Sequence, residues 1–261
     1  MFQTAVLASG SKGNSVLVRS NSTAILIDAG ISVRQILSSL HVLGMDGSQI
    51  KAVVISHEHS DHIRSAGAVS RTLHIPLYFT SNTLEVCAHK LGNIRGRFEF
   101  FEAGSTFEIG NLQIHPFSSS HDATDSCNFY VRCLDKEDRK LGLATDLGKF
   151  SRLTTRHLAE ATTLILESNH DLKMLMEGPY DWHLKQRVKS SHGHLSNDQA
   201  VELISLLHHP SLQNLILAHL SEINNSPVIA RDTMTEYLNS AKSDAKLYIA
   251  NQYSNTPLID I

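Results

Sequence analysis

The chain has 261 residues, 41% of them hydrophobic and 19% charged, and a formal net charge of −3. This composition supplies a sizeable core and excludes a coiled coil, a disordered polymer and a global basic field that would draw the protein to nucleic acid. Cys87, Cys127 and Cys133 form no CxxC pair and leave one thiol unmatched, which predicts a reducing cytoplasm; the outlying number is sixteen histidines. No apolar run approaches the roughly 18 residues of a membrane span, and no basic segment precedes the first strand, so a soluble cytoplasmic protein is predicted. In chain order, residues 2–8 and 15–20 read as strands joined by Ser9-Gly10-Ser11-Lys12-Gly13-Asn14, and 23–28 as a third ending Asp28-Ala29-Gly30. Helical spacing over 31–43 stops at Gly44; strand 51–56 leads into a histidine-rich loop, then helix 63–73 and strand 76–80. A further helix opens with Ser81 or Asn82 as N-cap and Glu85 in its first turn. Strands follow at 97–101, 105–109 and 111–117, with a hairpin of 126–134 and 140–145 around Asp135-Lys136-Glu137-Asp138. The remainder alternates: helix 151–160, strand 163–167, helical segments within 171–188, helix 196–208, strand 213–218, helix 226–240, strand 246–250. No repeat or linker divides the chain. The pattern predicts one α/β domain over 1–261, a four-layer αββα sandwich with mixed sheets.

Chemistry concentrates where apolar runs end. Val53-Val54-Ile55-Ser56 ends at His57, Ile114-His115-Pro116-Phe117 and three serines lead to His121-Asp122, and runs 141–145, 164–166 and 215–218 end at Asp146, Glu167 and His219. Core packing has no reason to place titratable groups repeatedly at strand ends, whereas loops at one end of a sandwich are where ligand sites gather. The densest cluster is His57-Glu58-His59-Ser60-Asp61-His62. A turning loop can aim His57 and His59 at one point and Asp61 and His62 at a neighbouring one, the arrangement that two adjacent metal ions need.

The series His57-x-His59-x-Asp61-His62, then His121, Asp146 and His219, with Asp28 after the third strand, resembles the metallo-β-lactamase superfamily over nearly the whole chain. The resemblance implies that His57, His59 and His121 hold one divalent ion, that Asp61, His62 and His219 hold another, and that Asp146 bridges them. It places Asp28 behind the ligands, fixing an imidazole tautomer or the loop backbone. The set contains no cysteine, unlike β-lactamases that use one at the second site. Zn or Mn fits these nitrogen and oxygen donors, and Fe does too. Such a pair activates water near neutral pH and takes up negative charge on a phosphodiester or carbonyl centre, with Asp61 able to orient the nucleophile as well as ligate.

Ser191-His192-Gly193-His194-Leu195-Ser196-Asn197 precedes an amphipathic helix that Ser196 or Asn197 would cap. It is also similar to a motif of ribonuclease Z and related phosphodiesterases. That similarity implies His194 as the group that contacts phosphate and protonates the leaving oxygen, supported by Glu167; a carboxylate partner suits an imidazole to general-acid work. The opening Leu7–Ser15, Glu167-Ser168-Asn169-His170-Asp171 and Gly193–Asn197 look like the compact YycJ-like (WalJ-like) branch. This implies a metal-dependent nuclease, with 5′-to-3′ exonuclease action on double-stranded DNA and hence DNA as the favoured partner. No β-CASP insertion and no Gly/Pro-rich arm of ribonuclease Z type is visible. Candidate substrate contacts are Asn14 in the donor-rich turn that carries Lys12, His170, and Lys185 and Arg187 beside Trp182; Lys90, Arg95 and Arg97 form a weaker basic group, and His192 is weaker still. The competing readings are a glyoxalase II-type thioester or lactone hydrolase, a small-molecule or cyclic phosphodiesterase, and, least favoured, a non-enzymatic metal-binding protein. The oligomeric state is left open.

Overall fold

Alternating apolar residues at the start of the chain pair as an antiparallel meander of β1 (Phe2–Ala8), β2 (Ser15–Ser20) and β3 (Ala24–Ile27). The computed structural model describes residues 1–94 and 96–261, so Arg95 of the weaker basic group lies outside the described residues. Beyond β3 the sheet continues in parallel through β4 (Ile50–Val54), β5 (Leu77–Phe79) and β6 (Phe98–Phe100). Parallel neighbours need crossovers, and helices supply them: α1 (Val33–Val42), then α2 (Ser60–Ile63) with α3 (Ala66–Leu73), then α4 (Ser81–Leu91).

The second sheet follows the same plan. β7 (Phe107–Ile109), β8 (Leu112–Ser118), β9 (Cys127–Cys133) and β10 (Lys136–Ala144) run antiparallel. β11 (Thr163–Glu167), β12 (Asn214–Ala218) and β13 (Lys246–Ile249) then add in parallel. The crossovers are α5 (Arg152–Leu158), the group α6 (Leu172–Glu177), α7 (Trp182–Val188) and α8 (Asn197–Leu207), and α9 (Pro227–Ser240). The chain finally returns to the first sheet, where β14 (Ile259–Asp260) pairs antiparallel with β1. Among the described residues each sheet has seven strands and is mixed.

Strand periodicity divides the core into three slabs. Val6, Val18, Ile25 and Val54 of the first sheet face Ile114, Phe129, Leu143, Ile165 and Ile216 of the second. Their chain neighbours Leu7, Leu17, Leu26 and Val53 point outward against Ile36 and Leu40 of α1, Val69 of α3 and Leu91 of α4. On the far side, Leu164, Leu166, Leu215 and Leu217 meet Leu158, Leu203, Ile204 and Met234 of the helices. The layers are therefore helix, sheet, sheet, helix, as expected.

Local details differ from the sequence reading. The N-cap of α4 is Thr80, whose Oγ1 accepts the Thr83 N–H, so Glu85 falls beyond the first turn. The β9–β10 hairpin turns at Leu134-Asp135, with Lys136 already opposite Cys133 and a register shift before Lys140. The histidine loop is helical from Ser60, because the His59 carbonyl accepts from both His62 and Ile63. β14 has too few residues for a periodicity to reveal it. No described helix is long and apolar enough to cross a membrane, and the three cysteines are buried and unpaired.

Candidate metal centre

In open sheets with parallel strands, ligand sites form outside the carboxyl ends of the strands. Here β3, β4, β10, β11 and β12 deliver Asp28, His57, Asp146, Glu167 and His219 at those ends. Asp28, Asp146 and His219 each adopt left-handed backbone, at φ 64°, 53° and 56°. A single left-handed residue turns the chain sharply out of the strand and aims its side chain back over the sheet edge. Asp and His tolerate this region better than most residues, and the cost is typical of functional sites.

The seven expected ligands converge. His57, His59 and His121 bring donor atoms within 4.8 Å of one another, as do Asp61, His62 and His219; His57, His62 and Asp146 form a third such group between them. His62 Nε2 lies 3.3 Å from Asp146 Oδ2 and 3.4 Å from Asp61 Oδ2, and His219 Nε2 lies 3.6 Å from Asp146 Oδ1. Behind them, polar groups orient the rings. His62 Nδ1 is 2.8 Å from Asp28 Oδ2, while the Ser56 N–H and hydroxyl each donate to Asp28 at 2.8 Å. His219 Nδ1 is 2.8 Å from Glu167 Oε1, and His121 Nδ1 is 3.2 Å from the Gly193 carbonyl. Engaging each Nδ1 outward leaves the Nε2 lone pair facing the centre, the tautomer a metal ligand requires.

Electrostatics act in the same direction. Burial pushes the His57 pKa down, helped by the neighbouring imidazoles, so this ring offers a free lone pair. Burial alone would raise Asp146, but the charges of His219 and His62 hold it well below the usual carboxylate range. Asp61 is likewise depressed, because the charge of His62 and the nearby His219 ring, 3.8 Å away, overcome its desolvation. His62 and His219 are shifted upward in spite of burial, chiefly by Asp146, so a cation entering there displaces protons. His57 Nε2, His219 Nε2 and Asp146 Oδ2 are buried with no hydrogen-bond partner among the described residues. Each such orphan costs about 1–3 kcal/mol, which the protein alone leaves unmatched and a divalent cation satisfies. The donor set therefore fits divalent metal.

Glu167 is fully buried and holds two rings with one oxygen: Oε1 is 2.8 Å from both His194 Nδ1 and His219 Nδ1, while Oε2 accepts the N–H groups of Leu147 and Leu195. Burial would raise this carboxyl, yet His194 and His219 bring it down to about 2. His194 is partly exposed and forms, with His219, one wall of a cleft of about 170 Å³.

The candidate substrate contacts fare differently. Asn14, expected to meet phosphate, is buried. Its amide Nδ2 lies 3.1 Å from both Asp61 Oδ2 and His62 Nε2, and its oxygen accepts from Gly10, so the side chain braces two of the candidate ligands. His170 is also buried, and its carbonyl accepts the Asn197 N–H. Lys12 pairs with Glu222 at 2.6 Å, and Lys185 donates to the Met176 carbonyl. Arg187 lines the cleft but is held by Asp122 at 2.6 Å, whose other oxygen lies 3.4 Å from His121 Nε2. Arg97 donates to the Ser70 carbonyl. Sequence reasoning missed several supporting residues. Ser56 had a signal, standing directly before His57. Asn169, which donates to the His219 carbonyl, Ser9, which accepts the His219 N–H, and Glu58, which accepts from Thr124, had none beyond their neighbourhood.

Residues 23–220 match the model of the beta-lactamase superfamily domain. The chain is 34% identical over its whole length to exodeoxyribonuclease WalJ of Streptococcus pneumoniae, covering 98% of that protein. It is 33% identical over 89% of its length to exodeoxyribonuclease YycJ of Bacillus anthracis, covering 88% of it. Among solved structures, the metallo-beta-lactamase fold protein YhfI of Bacillus subtilis superposes over 98% of this chain and 99% of its own, with a TM-score of 0.72 and 16% identity.

Proposed function

The chain belongs to the beta-lactamase superfamily, and from that footing we propose that it is a two-metal phosphodiesterase that degrades DNA from an end, as the names of its full-length relatives imply. His57, His59 and His121 would hold one divalent ion, Asp61, His62 and His219 the other, and Asp146 would reach both; Zn and Mn suit these donors. Bound there, the ions would supply water activation and Lewis-acid stabilisation of charge on phosphate oxygens.

The protein's own groups do the rest. Asp28 and Glu167 fix the tautomers of His62 and His219. Glu167 also receives Nδ1–H of His194, which directs the other ring nitrogen into the cleft. From there His194 contacts the phosphate and gives its proton to the departing sugar oxygen, and the ionised Glu167 stabilises the imidazolium before transfer. Asn14 holds Asp61 in line with the attacking side. The observation that carries this reading is the shared Glu167 oxygen: one buried carboxylate orients a ligand imidazole and, at the same 2.8 Å, an imidazole outside the ligand series. A thioester hydrolase has no need of the second. Unpaired thiols support a reducing cytoplasmic location.

The test is a substrate panel with metal-loaded protein: linear and circular duplex DNA, single-stranded DNA, RNA and S-lactoylglutathione. Linear duplex should be shortened from its ends while circular duplex stays intact. Turnover of the thioester without DNA degradation would overturn the proposal.

A further inference from the structure

Beside the metal centre, the cleft walled by His194 and His219 continues between α7 and the loop preceding α9, where Tyr180, Leu184, Val188 and Asn224 line it. Asn224 has no exposed surface, and neither its Oδ1 nor its Nδ2 has a hydrogen-bond partner among the described residues. Its backbone is anchored, since the N–H donates to Ser221 Oγ and the carbonyl accepts from Asp171. The adjacent amides are saturated: Asn225 Nδ2 donates to the Ser168 and Asn169 carbonyls, and Asn197 Nδ2 donates to Asn225 Oδ1. An unmatched buried amide next to a fully matched amide network is a group kept for something else.

Gly178 packs beside this amide: its φ is an ordinary −71°, but a Cβ there would stand 2.5 Å from the Met174 carbonyl oxygen and 2.6 Å from Asn224 Oδ1. The cleft, at about 170 Å³, is smaller than pockets that enclose a drug-sized ligand and suits one planar heterocycle. Besides the paired Arg187 and Asp122, its lining includes the Tyr180 ring, aliphatic Leu184 and Val188, and two amides: that of Asn169 donates to the His219 carbonyl, while that of Asn224 offers an unmatched donor and acceptor side by side. Every nucleobase edge carries a complementary donor and acceptor, and a half-turn of the amide exchanges their order.

We propose that this cleft is a base-accepting subsite for the nucleotide next to the scissile phosphate, with the Asn224 amide pairing to the base edge and Tyr180 stacking on its face. The proposal rests on the phosphodiesterase reading, because His194 and His219 place the cleft directly beside the reacting phosphate. Because the amide can rotate, the subsite grips any base without selecting one, which suits an enzyme that removes successive nucleotides whatever their identity.

The experiment compares metal-loaded wild type with Asn224→Ala, Asn224→Leu and Tyr180→Ala on linear duplexes whose terminal nucleotide is either normal or abasic. Wild type should favour the normal end by about tenfold or more in kcat/KM, and the ratio should collapse towards one in the variants. In parallel, binding of dAMP and of deoxyribose 5-phosphate is measured by calorimetry. Wild type should prefer dAMP, and the variants should lose that preference. Equal treatment of normal and abasic ends, together with equal binding of the two ligands, would overturn the subsite. Base-dependent binding without any DNA degradation would overturn the nuclease reading and leave the subsite standing, whereas DNA degradation that ignores the base would do the reverse. The two Asn224 variants, one small and one near-isosteric, separate loss of the amide from loss of packing.

Discussion

Glu167 carries a load that one residue rarely bears: a buried anion at 2.8 Å from two imidazoles, each with a different duty. Glu167→Gln removes the charge and leaves one oxygen for four donors, the two imidazoles and the Leu147 and Leu195 N–H groups. Activity should fall by about 10–100-fold or more and metal affinity should weaken with it, as expected when the partner of a ligating histidine is lost. His194→Asn should behave differently, with a fall of about 100- to 10,000-fold in kcat while metal content stays at the wild-type level. Elemental analysis alongside kinetics distinguishes the two, and metal loss from His194→Asn would place that residue among the ligands. His170 makes a separate prediction about pH. Burial lowers its pKa to about 4, so between pH 6.5 and 4 the unfolded chain binds a proton that the folded chain refuses. Stability contributed by the neutral ring is therefore present above pH 6.5 and drains away as the pH falls towards 4. His170→Asn should flatten the acid limb of melting temperature against pH relative to wild type; parallel limbs would contradict the assignment.

At the level of elements, the centre depends on three loops held together by backbone. Asn14 N–H donates to the Asp61 carbonyl, Gly30 N–H to the Asn14 carbonyl, and Ala29 N–H to the His62 carbonyl, so the β1–β2 turn, the end of β3 and the histidine loop form one unit. Gly30 is where they meet. A Cβ at that position would stand 1.6 Å from the Asp61 carbonyl oxygen. Gly30→Ala should push the histidine loop away, costing at least about 1–3 kcal/mol in denaturant unfolding and weakening metal binding in the same variant. An unchanged midpoint and unchanged metal content would show that the loop can yield. The same fastening holds the Asn14 amide against Asp61 and His62.

Across the whole molecule, the centre spans the two sheets. Asp28 and the histidine loop belong to the first, and His121, Asp146, Glu167 and His219 to the second. A cation shared between the sheets binds the folded chain and not the unfolded one. At a hundredfold excess over Kd this contributes about 2.7 kcal/mol, or about 5–10 °C in a chain of this size. Chelation should lower the calorimetric midpoint by that amount and Zn or Mn should restore it; indifference to chelator would argue that the donors do not hold metal in solution.

The sequence by itself determined most of the elements, the layered architecture and which residues are candidate ligands. Those are local signals: apolar alternation needs only neighbouring residues, and a titratable group at the end of an apolar run is visible wherever the run stops. Only the tertiary structure decided which carboxylate orients which imidazole, that Asn14 and His170 are buried, that β14 closes the edge beside β1, and that the Asn224 amide is left without a partner. Each of these depends on residues far apart in the chain, such as Glu167 and His219 or Asn14 and Asp61, being brought into contact by packing. A polar side chain has the same appearance in a sequence whether its hydrogen bonds are later satisfied by the protein or kept for a ligand.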